Sequence, residues 1–287
     1  MQCKVRSGTS LILLLCGLCV LLYPMVSNWY EEMHHGEVIR TYQDDVAKME
    51  DEEITGAWAE AAAYNRQLQE LVQQSDPFVS DFELQNLTYD QLLNENADGV
   101  MSYIEIPSIN VFLPIYHGTS EGVLAKGAGH MVNTSLPVGG ASTHCVISAH
   151  RGDPSATLFS HLDQLREGDE FHLYTLNEKL SYRVDHIKVV LPYDTDGFEI
   201  IEGKDFVTLV TCTPYGVNSH RLLVRGERIE NEPILEESEP EQMQGEERKP
   251  SFNYAAYVMG GITACLMMAA VSLWVKKKRK RGDHGKM

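Results

Sequence analysis

Basic residues are scarce in this 287-residue chain, which has 24 Lys and Arg against 41 Asp and Glu and a formal net charge of −17. The shortage is concentrated between residues 30 and 250, where 15 basic residues stand against 40 acidic ones and the net charge is −25. An acidic surface of this strength repels the phosphate backbone of DNA or RNA. The charge balance therefore excludes nucleic acid as a partner.

Glycine-rich phosphate loops and internal repeats are also missing. The chain has 22 glycines, but no strand-like run is followed by a P-loop or by the glycine fingerprint of dinucleotide-binding proteins. These absences exclude repeat folds and the common nucleotide-binding motifs. The remaining composition, 43% hydrophobic and 23% charged, is typical of a globular protein with a sizeable core.

Two apolar runs are long enough to cross a membrane. Ser10–Val26 follows Lys4 and Arg6, and Tyr254–Val275 precedes the basic stretch Lys276–Arg281. By the positive-inside rule we expect both termini in the cytoplasm and residues 30–250 outside the cell membrane. A cleaved signal peptide is the alternative for the first run, although no small-residue cleavage site follows it.

Cysteine is sparse in the region between the apolar runs. Four of the six cysteines belong to those runs or flank them: Cys3, Cys16, Cys19 and Cys265. Cys145 and Cys212 remain, and a disulfide between them is one interpretation, because exported proteins retain disulfides. The alternative that we favour is a presented nucleophile, because Cys212 ends the strand-like run Val207–Cys212 just before the loop Thr213–Gly216.

A helical stalk is predicted for residues 29–74. Apolar residues recur there at spacings of three and four, the period of a helix that packs one face: Tyr42, Val46, Met49, Ala57, Ala61, Tyr64, Leu68 and Leu71. Gly56 is the residue that favours an interruption. The helix is expected to end before Pro77, because proline disfavours helix in the residue that precedes it.

Residues 101–229 change to short β-branched runs bounded by turn residues. Seven runs are predicted to be strands: Tyr103–Ile106, Val111–Tyr116, Cys145–Ser148, Glu170–Thr175, Leu180–Leu191, Phe206–Cys212 and Arg221–Arg225. Seven or eight strands at this spacing are typical of a sandwich or a closed barrel. Leu158–Leu165 is the one convincing helix among them. The fold class is therefore mainly β with N-terminal helices.

Charge and apolarity set the remaining boundaries. Residues 230–250 are rich in Glu, Pro and Gln with little to bury, which predicts a disordered linker. The predicted segments are a cytoplasmic N-terminus with a signal anchor (1–28), the stalk (29–74), a connecting loop (75–100), the β domain (101–229), the acidic linker (230–250), a transmembrane helix (251–275) and a basic cytoplasmic tail (276–287).

Three reactive side chains are expected at strand ends. A hairpin around the loop from Thr213 to Ser219 brings Arg221 beside Cys212, and His150 follows another apolar strand. A thiol nucleophile needs a nearby base or cation, and acyl transfer needs a hydrogen-bond donor where the oxyanion forms. His220 is a rival base, but as the strand neighbour of Arg221 it is expected to face the other way.

These residues resemble the sequence motifs of the sortase family. Thr208–Cys212 resembles the TLxTC signature, Ser219–Arg228 resembles the segment with the active-site arginine, and Ser148–Gly152 resembles the segment with the histidine. Asp76-Pro77-Phe78 resembles the lid of the class C, pilus-assembling branch, and the resemblance extends from about Asp76 to Ile229. Two departures adjoin the histidine: Ala149 replaces a usual glycine, and Asp153 replaces a usual apolar residue.

The resemblance implies a closed eight-stranded β-barrel transpeptidase from a Gram-positive bacterium. Cys212 is then the nucleophile, His150 the acid and base, and Arg221 the oxyanion donor, with Thr208 and Thr211 supporting the substrate pocket. The implied reaction cleaves an LPxTG-like sorting signal between Thr and Gly. The acyl group then passes to a pilin lysine, while Asp76, Pro77 and Phe78 form an autoinhibitory lid.

Other interpretations of the same residues remain. A housekeeping sortase would anchor surface proteins to cell-wall peptide instead, and a non-catalytic membrane-tethered scaffold would use the barrel without the chemistry. A papain-like hydrolase is disfavoured because its cysteine precedes its histidine in the chain, whereas here His150 precedes Cys212. No metal or organic cofactor is expected, since the pairs His34-His35 and His144-Cys145 lack further ligands at suitable spacing.

Overall fold

The computed structural model describes residues 2–74, 89–153, 156–194 and 196–230, with side chains of the first two helices described for residues 17–71. By its contacts the chain divides into two units, one of residues 1–26 with 236–287 and one of residues 27–235. The first unit is described only as helix, over residues 2–26. The second contains all the strands.

Two helices precede the strands. Helix α1 spans Gln2–Val46 and α2 spans Asp51–Gln74, so the interruption lies at residues 47–50 and not at the predicted Gly56, which is inside α2. The side chain of Glu53 accepts a hydrogen bond from the backbone of Glu50, which satisfies a free donor at the start of α2. Three acidic residues in the first turn also favour this helix start.

The helices pack one apolar face against the strands. The buried residues of that face recur at helical spacing: Ile39, Tyr42, Val46, Ala61, Tyr64 and Leu68. Tyr42 also donates to the carbonyl of Met101 and accepts from the amide of Leu176. Asn65 exchanges two hydrogen bonds with the backbone of Leu136. The stalk is therefore fixed to the β domain by apolar burial and by buried polar contacts.

Eight strands form a closed barrel in the order β1-β2-β3-β4-β7-β8-β6-β5. Their bounds are Val100–Ile106 (β1), Val111–His117 (β2), Ala128–His130 (β3), Thr143–Ser148 (β4), Glu170–Thr175 (β5), Glu178–Val190 (β6), Asp205–Thr213 (β7) and His220–Ile229 (β8). Pairing of β1 with β5 closes the barrel. The pairs β2/β3 and β4/β7 are parallel, and the other pairs are antiparallel. The predicted closed barrel is confirmed.

Three features of the structure differ from the sequence predictions. Strand β3 has only three residues, with a glycine in the middle. It is too short for an alternating apolar pattern to be recognised in the sequence. The predicted helix Leu158–Leu165 is wrong: the segment forms turns and a short 3-10 helix, Leu162–Gln164. Leu158 has a φ of +40°, a conformation that an α-helix does not accept. A four-residue helix α3, Glu121–Leu124, was not predicted.

Several predicted segments fall partly or wholly outside the described residues. These are the lid Asp76–Phe78, the linker after Glu230, the second apolar run Tyr254–Val275 and the basic tail. Ser10–Val26 is only partly covered by described side chains. In the part of the chain that is described, no helix combines the length and the apolarity of a membrane span.

Candidate active site

The strand pattern separates two faces of β7. Val207, Leu209 and Thr211 alternate with Thr208, Val210 and Cys212, because successive side chains of a strand point to opposite faces. Val207 and Leu209 belong to the main core, whereas Val210 belongs to a separate apolar cluster. We call the Val207 face the inner face and the Val210 face the outer face. Cys212 therefore lies on the outer face.

Cys212 and Arg221 are direct cross-strand partners. The antiparallel register of β7 and β8 places them opposite each other, beside the loop of residues 214–219. Side chains opposite each other in such a pair have Cβ atoms about 5 Å apart. Nη1 of Arg221 donates to the carbonyl of His220 at 3.2 Å and lies 3.4 Å from that of Asn218. The predicted hairpin thus brings the thiol and the guanidinium together.

His150 lies at the same edge of the sheet. Ser148 at the end of β4 is level with Val210, and the amide of Ala149 continues the pairing by donating to the Val210 carbonyl at 3.2 Å. Oγ1 of Thr211 donates to the carbonyl of Ala149 at 2.8 Å. Because β4 and β7 are parallel, their carboxyl ends coincide, and His150 is level with Cys212 two residues beyond β4.

All three side chains are partly exposed, whereas their chain neighbours Ala149, Thr211 and Leu222 are buried. The strands are therefore fixed in the core while the reactive groups remain accessible. Cys145 and Cys212 are both free thiols, so the disulfide interpretation is wrong. Their side chains belong to different environments: Cys145 lies in the main core, and burial raises the pKa of its thiol well above the usual value.

The outer face carries a buried apolar cluster, which we call the apolar floor, next to Cys212. Val146, Val190, Val210 and Leu223 form it, one residue from each of four adjacent strands, with Met131 and Phe198 packed against them. Val190 pairs with Arg221 and Leu223 pairs with Val210, so the floor reaches the reactive end of the strands.

His144 connects this floor to the β6–β7 loop, residues 191–204. Its Nε2 accepts from Oγ1 of Thr208 at 2.7 Å, while its Nδ1 donates to the carbonyl of Glu199 at 2.9 Å. Burial lowers the pKa of His144, which favours the neutral imidazole that these two bonds require. Thr208 therefore supports the loop that carries Phe198, and Thr211 supports the backbone before His150.

His35, another histidine considered as a metal ligand, has a hydrogen-bond partner in the protein. Nε2 of His35 bonds to the carbonyl of Lys126 at 3.0 Å. Within the described ranges no group of three or more His, Cys, Asp or Glu side chains is arranged to hold a metal ion. His220, the rival base, forms a hydrogen bond with Oγ of Ser219 at 2.9 Å and follows the opposite alternation to Arg221.

The sequence analysis assigned no role to Arg151. The structure places it directly after His150 and in contact with Thr213, the residue after Cys212. Its side chain is 6% exposed, and it contacts Asp163, Thr213 and the ring of Tyr215. Its position directly after His150 was the available signal. Its burial depends on contacts from two distant segments, which no local pattern reveals.

A closed barrel that presents a cysteine, a histidine and an arginine at one edge defines a cysteine-dependent acyl-transfer protein. Residues 104–229 match the model of the sortase domain. The structure is similar to sortase C1 of Streptococcus agalactiae, with 46% identity, a TM-score of 0.64, and coverage of 68% of this chain and 100% of that chain. The chain therefore belongs to the sortase family of transpeptidases.

Two further similarities refine this result. Clostridium perfringens sortase C, solved with the C-terminal cell wall sorting motif, shares 42% identity at a TM-score of 0.58, covering 68% of this chain and 99% of that one. Sortase A of Bacillus anthracis is 30% identical over 132 residues, which are 45% of this chain and 60% of that protein. The match to this curated relative thus spans less than two thirds of it, whereas class C structures are covered almost completely.

Proposed function

We propose that the protein cleaves an LPxTG-like sorting signal between Thr and Gly and transfers the acyl group to a lysine amine of a pilin. The observation that carries this proposal is the pairing of Cys212 with Arg221, level with His150, at the end of an apolar floor. The C. perfringens neighbour was solved with the C-terminal cell wall sorting motif, which supports this class of substrate.

The chemistry assigned to the three residues is a two-step acyl transfer. The Cys212 thiolate attacks the threonine carbonyl carbon, and the carbonyl oxygen becomes an oxyanion that the Arg221 guanidinium stabilises by hydrogen bonding. When the tetrahedral intermediate collapses, the C–N bond breaks and the His150 imidazolium gives its proton to the leaving glycine amine. A thioacyl-enzyme remains.

The second step reverses these roles. The incoming lysine amine attacks the thioester carbon, His150 takes a proton from the amine, and the C–S bond breaks to release the Cys212 thiolate. An isopeptide bond forms, and the sulfur and the imidazolium return to their starting states. The reaction needs no external oxidant, reductant or cofactor.

A pilin acceptor follows from similarity to class C sortases and from the lid motif. Asp76 and Phe78 are proposed to close over Arg221 and Cys212 in the resting enzyme, so that substrate must displace them. The chain is also proposed to be held in the cell membrane by its two apolar runs, with residues 30–250 outside the cell and both termini in the cytoplasm.

The test uses the full chain in detergent with LPxTG peptides and candidate pilins. Cleavage between Thr and Gly should release a peptide with an N-terminal glycine, and pilins should form ladders that resist SDS. Mass spectrometry of a trapped intermediate should locate the acyl group on Cys212. Peptide cleavage with transfer only to a cell-wall peptide amine would replace the pilin assignment, and absence of cleavage for all such peptides would contradict the proposal.

A further inference from the structure

Arg151 is a buried cation between the segments that carry the reactive residues. Its Nη2 donates to Oδ2 of Asp163 at 2.5 Å, and its Nη1 donates to Oγ1 of Thr213 at 3.1 Å. The guanidinium carbon lies 5.9 Å from the ring centroid of Tyr215. The Arg151 side chain is 6% exposed, whereas that of Asp163 is 46% exposed. One planar group thus contacts three segments at once.

Two of the three contacts of Arg151, Thr213 and Tyr215, adjoin the reaction site. Arg151 itself follows His150, and Thr213 follows Cys212. Tyr215 belongs to the β7–β8 loop, residues 214–219, whose far end leads to Arg221. The guanidinium therefore connects the segment of the base to the segment of the nucleophile and to the loop before the oxyanion donor.

Hydrogen bonds to three other residues hold the backbone around His150 in place. The Ala149 carbonyl accepts from Thr211, the His150 carbonyl accepts from the amide of Phe159 at 3.1 Å, and the Gly152 amide donates to Oγ of Ser160 at 3.1 Å. These contacts fix the base within its own turn and against Thr211, the residue before Cys212. Arg151 adds a connection to Thr213, the residue after Cys212.

The energetics of a buried ion pair favour a geometric role. Removing a guanidinium from water is costly, and a buried pair is weak evidence for stability because well-packed apolar residues often replace one without loss. A guanidinium does, however, offer several donors in a rigid plane. That property matches a group that must hold two segments at a fixed distance.

We propose that Arg151 is a positioning residue that sets the separation of the His150 imidazole and the Cys212 sulfur, with Asp163 orienting its guanidinium. The assignment rests on the proposed function, since it takes His150 and Cys212 as the reacting pair. Arg151 acts through the segments it holds and does not itself touch the substrate. Its loss lengthens or loosens the proton-transfer path while the apolar floor stays intact.

The first test compares Arg151→Ala with the parent as full chains in detergent. A misplacement of about 1 Å can reduce turnover about 100-fold, so kcat for peptide cleavage should fall by about that factor while KM changes less than about threefold. The alkylation profile of Cys212, meaning its labelling rate against reagent concentration at one fixed pH, should shift to slower labelling than in the parent. Added guanidinium ion at millimolar concentration should restore part of the lost kcat.

Thr213→Val provides a milder variant that removes only the hydroxyl in contact with Arg151. We expect about a tenfold fall in kcat and a shift of the alkylation profile in the same direction as in Arg151→Ala. If Arg151→Ala does not fold, as judged by thermal unfolding, this variant decides. An unchanged kcat and alkylation profile in a folded variant of either kind overturns the inference.

Glu170→Gln is the matched control. Glu170 pairs with Arg183 at 2.8 Å on β5 and β6, which are distant from β7 in the barrel order, and both side chains are largely exposed. Its removal should leave kcat and the alkylation profile unchanged. A parent chain that cleaves no LPxTG peptide would contradict the proposed function alone, because the alkylation profiles still show whether Arg151 positions the pair.

Discussion

Cys145 and Cys212 lie on neighbouring parallel strands and differ in almost every property that governs a thiol. Cys145 is 3% exposed, level with Val207 in the middle of β4, and its side chain belongs to the main core. Cys212 is partly exposed near the end of β7, opposite Arg221. The two residues have the same thiol side chain but lie in opposite environments, one buried and one partly exposed.

The difference shows that two factors determine which thiol can react. They are the face of the strand on which the cysteine lies and its distance from the strand end. An inner-face cysteine is surrounded by apolar side chains that disfavour the thiolate, and burial accordingly raises the pKa of Cys145. An outer-face cysteine at a strand end adjoins loops that can supply a base and a cation. Moving a thiol by one position along a strand would exchange these environments.

Replacing the cysteines in turn gives the largest contrast. Cys212→Ala should abolish peptide cleavage and ladder formation, because it removes the nucleophile. Cys145→Ala should retain activity within about twofold and lose about 1 kcal/mol of stability, because it leaves a small cavity in the core. Turnover assays and denaturant unfolding of the two variants measure both effects.

Alkylation of the native chain supplies the control for that contrast. Peptide mapping by mass spectrometry should find Cys212 modified under native conditions and Cys145 modified only after unfolding. Rapid native labelling of Cys145, or polymerisation by Cys212→Ala, would remove the distinction between the faces.

Arg221→Lys tests whether the partner across from Cys212 acts through shape or through charge. A single ammonium cannot reproduce the planar donors of a guanidinium, so kcat should fall at least about 100-fold. Arg183→Lys should have little effect, because Arg183 lies on β6 seven residues before Val190, the strand partner of Arg221. Near-normal kcat in Arg221→Lys would assign Arg221 to a structural ion pair instead.

A change in the proposed lid tests whether residues 76–78 limit the reactivity of Cys212 without affecting Cys145. Replacing Asp76 and Phe78 with Ala should accelerate alkylation of Cys212 about tenfold, because it shifts a closed-to-open equilibrium without changing the reacting groups. Native protection of Cys145 should not change. Equal Cys212 labelling rates in the parent and the folded double variant would show that residues 76–78 do not gate the site.

The stability of the interior depends on pH through His130. This histidine is fully buried, its Nδ1 accepts from the Tyr89 hydroxyl and its Nε2 donates to the Ser135 carbonyl, and burial lowers its pKa from 6.5 to about 4. The folded chain thus binds this proton less readily than the unfolded chain. Its stabilisation is complete above pH 6.5 and declines as the pH falls toward 4.

The size of this effect follows from the shift, since one pKa unit corresponds to about 1.4 kcal/mol and the full loss is about 3 kcal/mol. Denaturant unfolding of the parent and of His130→Gln between pH 4 and pH 7 measures it, and the variant should show the flatter dependence. His35 is similarly buried, with its pKa lowered to about 4, and its contribution should persist in the variant. Identical slopes would contradict the assignment to His130.

The sequence predicts the strands well because they depend on local patterns. Six of the seven predicted runs lie within observed strands, and Leu180–Leu191 extends only one residue beyond β6. Turn residues separate these runs, and period-two alternation gives the faces. The hairpin between Cys212 and Arg221 could be predicted since its two strands are consecutive.

The remaining features depend on distant contacts. The left-handed φ of Leu158 and the short strand β3 are imposed by neighbours, so propensity alone assigns them wrongly. The buried contacts of Arg151 join a turn, a 3-10 helix and a loop from separate parts of the chain. The parallel pairing that brings His150 to Cys212 has no local signature either.

The parallel contact of β4 with β7 also governs when the protein becomes reactive during folding. Its strands begin at Thr143 and Asp205, which are 62 residues apart, and the β5–β6 hairpin lies between them in the chain. Loop-closure entropy makes such non-local pairing slow compared with hairpin formation. In a partly folded chain, His150 is therefore not yet level with Cys212. Transpeptidation then begins only when the barrel is complete. Side reactions of the Cys212 thiol are limited while the chain is still folding.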